Sequence, residues 1–284
     1  MVQTLIEDAL GDPRNAAALA AAAEFAYSPE AEAKPKFRAE LGLNARLISS
    51  GNTQVYLAGN DEHLVVAFRG TEAPTSLEGL KDWLLTDAAN LLIVPEGRLG
   101  TDLAAAGVGA RFHQGFVDAI ADIWEQVYAA VDQEMKAAER PLWITGHSLG
   151  GALALLAGWL FLRRTVAVHQ IYTFGGPMIG NDRATLSFDR EFAGKVFRYV
   201  NLPDPVPKLP TMSLVANQYV HCQKEIPVGA ADSANDFVSQ LRQGVVSGVL
   251  NATLIDDIWN AVKTRISAHG MNNYRELVSR LLRS

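Results

Sequence analysis

Hydrophobic and polar positions divide the chain into two regimes. Between Asn15 and Tyr27 alanine and leucine dominate, which predicts a helix ended by Ser28-Pro29. Three short alternating or β-branched runs follow, Ala45 to Ser49, Gln54 to Ala58 and Leu64 to Phe68. The turn sequences Ser50-Gly51-Asn52 and Gly59-Asn60-Asp61 part them, so they read as a meander of strands. From Phe112 onward strands and helices alternate. Phe116, Ile120, Ile123, Val127 and Val131 recur at helical spacing within Phe116 to Ala138. Leu142 to Thr145 then reads as a buried strand, Leu149 to Arg164 as an apolar helix, and Gln170 to Phe174 and Val196 to Val200 as further strands. Apolar periodicity returns near Phe237–Leu250, Leu254–Ile266 and Tyr274–Leu282. An antiparallel lead-in followed by strand-helix alternation predicts an α/β fold with a mostly parallel central sheet flanked by helices. With no repeat and no linker, residues 1–284 are expected to form a single domain.

Composition narrows the function classes. The 284 residues are 49% hydrophobic and 20% charged, ordinary for a globular chain and unlike a disordered or fibrous one. A formal net charge of −6 gives no electrostatic reason to expect nucleic acid or an anionic membrane as partner. The one cysteine, Cys222, can form no internal disulfide and sits in no zinc-ligand spacing; the serine chemistry read below requires no metal and no other cofactor, and none is expected. The mean hydropathy of +0.05 is slightly high for a soluble chain. Its most membrane-like run, Leu149 to Leu162, is shorter than the roughly 20 residues a spanning helix needs and reads as a core helix. Acidic Glu7 and Asp8 and the lack of a basic start argue against a signal peptide. A soluble protein, cytoplasmic or secreted without a visible leader, is expected.

The sharpest chemical signal is Gly146-His147-Ser148-Leu149-Gly150, which fits G-x-S-x-G. That pattern places a serine on a tight strand-to-helix turn, and here a strand leads in and an apolar helix leads out. Glycines at 146, 150 and 151 leave room for neighbouring backbone, and the helix start directs N–H groups toward charge developing on the seryl oxygen. The plainer alternative is a serine N-cap beside small residues.

A nucleophilic serine needs a base and a group to orient it. Of the histidines after Ser148, His169 precedes a strand at its entering end and His221 lies in a strand-like run. His269, between two helical segments, is better placed as base. Asp204 lies just past the strand Val196 to Val200, between prolines that fix its loop, and is preferred as the acid to Asp182 and Asp189. The Leu149 N–H and the N–H or hydroxyl of Thr71 are the expected oxyanion donors.

Further along the chain, Phe68-Arg69-Gly70-Thr71, Asp82-Trp83, His113-Gln114-Gly115-Phe116, Gly146 to Gly151, Thr173 to Pro177, Gly180-Asn181 and Asn201 to Pro210 together resemble the class 3 lipase family, from about residue 45 to 275. The resemblance implies an α/β-hydrolase fold, a Ser148–Asp204–His269 triad, an oxyanion hole at Thr71 and Leu149, and a helical lid within about 72–95. It gives His113 and His221 structural places. The chain lacks the disulfides of secreted fungal members, which brings it closer to bacterial or intracellular relatives. Ala268 stands where an Asp often precedes the histidine.

Leu77, Leu80 and Leu84 share a helical spacing, and Trp83 adds apolar area, so these four are the expected lid residues that meet substrate. The alternative is a helix packed on the core. The expected function is that of a serine carboxylic-ester hydrolase, foremost a triacylglycerol lipase, acting on lipid or another ester at an oil-water interface. Phospholipase A1 or feruloyl-type esterase activity is the alternative on the same fold. A catalytically silent, lipase-like binding protein is the alternative from another class.

Overall fold

A computed structural model describes residues 2–70, 92–94, 96–208, 219–230, 260 and 263–283. Helices α1 (Pro13–Phe25) and α2 (Glu30–Leu41) precede strands β1 (Asn44–Ser50), β2 (Thr53–Gly59) and β3 (Leu64–Phe68). Next come β4 (Leu92–Ile93), α3 (Gly100–Ala104), β5 (Phe112–His113), α4 (Gln114–Ala137), β6 (Leu142–His147) and α5 (Leu149–Arg163). The chain continues through β7 (Gln170–Phe174), β8 (Gly180–Asn181), α6 (Asp182–Glu191), β9 (Val196–Asn201), β10 (Tyr219–Val220) and β11 (Glu225–Val228). Helix α7 (Met271–Arg280) is the last of the described elements.

Seven strands form the main sheet in the order β1-β2-β3-β6-β7-β9-β11. The meander β1-β2-β3 is antiparallel, and every pairing from β3 to β11 is parallel. A smaller sheet runs β10-β8-β5-β4. In the large sheet Phe68 pairs with Gly146 and His147 with Phe174, so the carboxyl ends of β3, β6 and β7 lie side by side. Groups just past such ends can converge on one crevice.

Alternation along the strands sends apolar side chains to both faces. Leu142 and Ile144 of β6 join one core with α4 and α5, while Trp143 faces the other with α1, α2 and α7. Residues 150–161 of α5 are all buried, since the helix is enclosed between the sheet and its helical neighbours. That enclosure explains an apolar run resembling a membrane anchor. No helix among the described residues is long and apolar enough to cross a membrane. On the other face the buried alanines from Ala16 to Ala23 let α1 lie close against the sheet and α7. Arg275 of α7 pairs with Glu24 and Glu40 and lies over the Phe25 ring, tying α7 to both N-terminal helices.

Helix α2 was not signalled by the hydrophobic pattern. It carries Pro35 and buries only Ala33, Phe37 and Leu41, so its apolar face is one narrow stripe. Between Gly70 and Gly109 the described residues include β4, a 3₁₀ turn at Gly97–Leu99 and α3. The two apolar stripes at 237–250 and 254–266 lie almost wholly outside the described residues.

Candidate active site

Strand β6 ends at His147 and α5 begins at Leu149, so Ser148 alone makes the turn between them. Its backbone has φ 56° and ψ −129°, a left-handed conformation that is costly for any residue with a Cβ. The turn is held from both sides. The Ser148 N–H donates to the Phe174 carbonyl at 3.0 Å, and the Ser148 carbonyl accepts from Gly151 at 2.9 Å.

The flanking glycines are steric necessities. A Cβ on Gly146 would stand 2.1 Å from the Gly150 carbonyl oxygen, and one on Gly150 would stand 2.3 Å from that of Phe68. Both obstacles are main chain. Leu149 is the first residue of α5, so its N–H has no acceptor within the helix and is available beside the serine. Thr71, paired with it in the expected oxyanion hole, lies outside the described residues, as do Leu77, Leu80, Trp83 and Leu84 of the expected lid.

Asp204 follows the carboxyl end of β9 and is wholly buried. Its Oδ1 accepts the Val206 N–H at 2.9 Å, while its own N–H donates to the Asn201 carbonyl at 2.8 Å. Its Oδ2 takes two partners, Nδ1 of His269 at 2.7 Å and the Tyr274 hydroxyl at 2.6 Å. A carboxylate with its lone pairs so used tolerates a low-dielectric position. Burial and the nearby carboxylate hold the Tyr274 phenol well above its ordinary pKa, so it remains the donor. The same hydroxyl accepts the Asn201 N–H at 3.0 Å.

His269 closes a short 3₁₀ turn, Ile266–His269, just before α7. The Asn201 amide secures the turn by donating to the Ala268 carbonyl at 2.8 Å. With Nδ1 on Asp204, the other ring nitrogen, Nε2, is buried and makes no hydrogen bond among the described residues. The His269 ring packs against that of His147 at 4.5 Å between centroids. A histidine with one nitrogen fixed by a buried carboxylate and the other unengaged, docked on the turn that carries a strained serine, can exchange a proton with that serine's neighbourhood.

The structure therefore brings Ser148, Leu149, Asp204 and His269 to one end of the sheet. The rival histidines and aspartates weighed from the sequence lie elsewhere. His169 is at the opposite end of β7, edge-on to Trp143, with Nε2 3.1 Å from the Glu7 carbonyl. His221 is bonded through Nε2 to the Pro207 carbonyl. Asp182 starts α6, and Asp189 accepts the Gln223 N–H. His113 is buried and stacked on Phe116.

Three residues at the site were given no role from the sequence. Tyr274 and Asn201 anchor Asp204 and the His269 turn. Tyr27 meets His147 across 120 positions, its hydroxyl 2.7 Å from Nδ1. Asn201 lay at the edge of a recognised segment, and His147 inside the elbow motif at a position the motif leaves open.

The chain is similar to known lipases in sequence and in fold. A family profile described as Lipase (class 3) matches residues 65–214. The chain is 33% identical over 161 residues to secreted mono- and diacylglycerol lipase 1 of Fusarium solani, covering 55% of this chain and 44% of that protein. It is 33% identical over 161 residues to the chloroplastic phospholipase A(1) DAD1 of Arabidopsis thaliana, covering 53% and 34%. The chain thus spans less than half the length of either relative. Among solved structures, the Lip2 lipase of Yarrowia lipolytica superposes with a TM-score of 0.63 at 22% identity, over 75% of this chain and 78% of that one. That likeness carries the architecture, and the parallel, helix-flanked sheet is an α/β-hydrolase fold. With its profile match covering more than half of the sequence, including the turn at Ser148 and the loop at Asp204, the chain belongs to the class 3 lipase family.

Proposed function

We propose that the protein is a serine carboxylic-ester hydrolase acting on lipidic esters, foremost triacylglycerols, with residues 1–284 forming one catalytic domain. The observation that carries this reading is the buried His269–Asp204 contact at 2.7 Å, docked by way of His147 on the strained turn of Ser148.

In this reading Ser148 Oγ attacks the ester carbonyl while His269 Nε2 accepts its proton. The C–O bond to the alcohol then breaks as the imidazolium returns that proton to the leaving oxygen. Asp204 holds Nδ1 and stabilises the imidazolium. Water, deprotonated by the same imidazole, hydrolyses the acyl-enzyme. The Leu149 N–H, together with Thr71, receives the oxyanion of each tetrahedral intermediate. Residues 72–95, with Leu77, Leu80, Trp83 and Leu84, serve as the lid that meets the lipid surface.

The Fusarium relative supports an acylglycerol substrate, and the Arabidopsis relative is the reason to keep phospholipase A1 activity as the second reading. The deciding experiment is a panel of p-nitrophenyl esters from acetate to palmitate beside triacylglycerol and phospholipid emulsions. Highest turnover on triacylglycerol supports the first reading, and sn-1 cleavage of phospholipid supports the second. No hydrolysis of any ester would mean a silent binding protein.

A further inference from the structure

His147 takes no part in acyl transfer as proposed above, yet both of its ring nitrogens are engaged. Nε2 lies 2.7 Å from the carbonyl oxygen of His269, and Nδ1 lies 2.7 Å from the Tyr27 hydroxyl. A carbonyl can only accept, so Nε2 carries the proton. Burial, reinforced by the nearby His269 ring, holds the His147 pKa well below the ordinary range, so the ring is neutral and has no second N–H. Nδ1 is therefore an acceptor, and the donor is the Tyr27 O–H.

Gly70 also lies close against the Tyr27 hydroxyl. Gly70 follows β3 and directly precedes Thr71, the expected oxyanion residue. A Cβ at Gly70 would stand 2.0 Å from the Tyr27 hydroxyl and 2.6 Å from the His147 carbonyl oxygen, which measures how closely the three segments meet. One phenol thus joins the turn after α1, the residue following β3 and the elbow, and through His147 reaches the turn that carries His269. Tyr27 and His269 both lie outside the segment that the family profile matches.

We propose that Tyr27 is a positioning residue of this site, its hydroxyl fixing the tautomer and tilt of His147 so that His147 holds the main chain bearing the His269 imidazole. The proposal rests on the reading of His269 as the catalytic base. It makes the turn after α1 a working part of the site rather than a layer of packing. Removing the hydroxyl leaves Nδ1 of His147 buried without a donor and frees the ring to take the other tautomer, which no longer donates to the His269 carbonyl.

The test is a double-mutant cycle of Tyr27→Phe and His147→Phe on the full chain. It is read by kcat and KM on p-nitrophenyl butyrate and by the downfield NMR resonance of the proton between His269 Nδ1 and Asp204. Tyr27→Phe is expected to lower kcat about tenfold, the worth of one buried hydrogen bond, with KM unchanged and the resonance shifted or broadened. In the His147→Phe background the same change is expected to cost nothing further, because the two residues act as one unit. The double variant also guards against misfolding of Tyr27→Phe, since it removes the unpaired nitrogen together with the hydroxyl. An unchanged kcat in Tyr27→Phe, or two losses that multiply independently, overturns the proposal. Should the parent protein hydrolyse no ester, the functional reading fails instead. The NMR arm still judges Tyr27, and a resonance that does not move overturns its positioning role.

Discussion

Asp204 and His269, 65 positions apart in sequence, meet through Oδ2 and Nδ1 at 2.7 Å in a contact from which water is almost wholly excluded. The buried carboxylate has the Tyr274 hydroxyl and the Val206 N–H as further donors, so its orientation is fixed by the fold rather than by the histidine alone. Asp204→Asn keeps the volume but presents an amide to the imidazole and removes the charge that would stabilise the imidazolium. It is expected to lower kcat by about 10⁴ while the thermal transition shows a folded protein. A loss of less than tenfold in steady-state kinetics would remove Asp204 from the mechanism.

Gly150→Ala tests the packing around the elbow. The added Cβ would stand 2.3 Å from the Phe68 carbonyl oxygen, and main chain cannot swing aside as a flexible side-chain end can. Either β3 or α5 must shift, at a cost of about 1–3 kcal/mol, and the Leu149 N–H moves with the helix. Both Tm and kcat are expected to fall. Gly176→Ala is the control, since its Cβ would find only an ordinary contact at 3.5 Å from the Gly151 Cα, and its Tm is expected to stay near that of the parent.

The pH dependence of stability has a defined sign. Burial keeps His147 neutral in the folded protein well below the pH at which the unfolded chain takes up its proton, near 6.5. Between those two values the unfolded state binds the extra proton. Stability is thus fully present above about pH 6.5 and declines as pH falls below it, by about 1.4 kcal/mol per unit for one such histidine. Burial also pushes His221 down, to about 3, which acts in the same direction between pH 6.5 and 3. Urea unfolding from pH 8 to 5 is expected to show this decline, and His147→Phe to make it shallower. Equal slopes in parent and variant would show that His147 is not the proton-linked group.

The lid reading rests on the helical spacing of Leu77, Leu80 and Leu84 beside Trp83. Turnover of a partly soluble triacylglycerol is expected to jump where the substrate exceeds its solubility limit. Leu80→Asp with Leu84→Asp is expected to abolish that jump while leaving hydrolysis of dissolved esters within about twofold, because a charged face no longer enters an apolar surface. A smooth rate curve in the parent would contradict interfacial opening.

How much of this could be read in the sequence depends on how local each feature is. The elbow is compressed into Gly146 to Gly151, where each residue answers a constraint from its near neighbours, so strand, turn and helix were all legible. Asp204 was legible because prolines bracket it just past a β-branched strand, and His269 because its rivals stood at worse places in the strand pattern. Helix α2 was obscured by Pro35 and a polar surface that leaves only three inward positions. Tyr27 and Tyr274 were invisible for a different reason. Their hydroxyls act on partners 120 and 70 positions away, and no local period encodes a contact that only the closed sheet creates.

The central claim, that Ser148 is the nucleophile, is tested most directly by reaction with a serine-directed alkyl phosphonate followed by intact-mass and peptide analysis. The account predicts one phosphonyl group per chain, located on Ser148, with hydrolysis lost in step with labelling and neither labelling nor hydrolysis in a folded Ser148→Ala protein. A label on any other residue, or esterase activity that survives in Ser148→Ala, would contradict it.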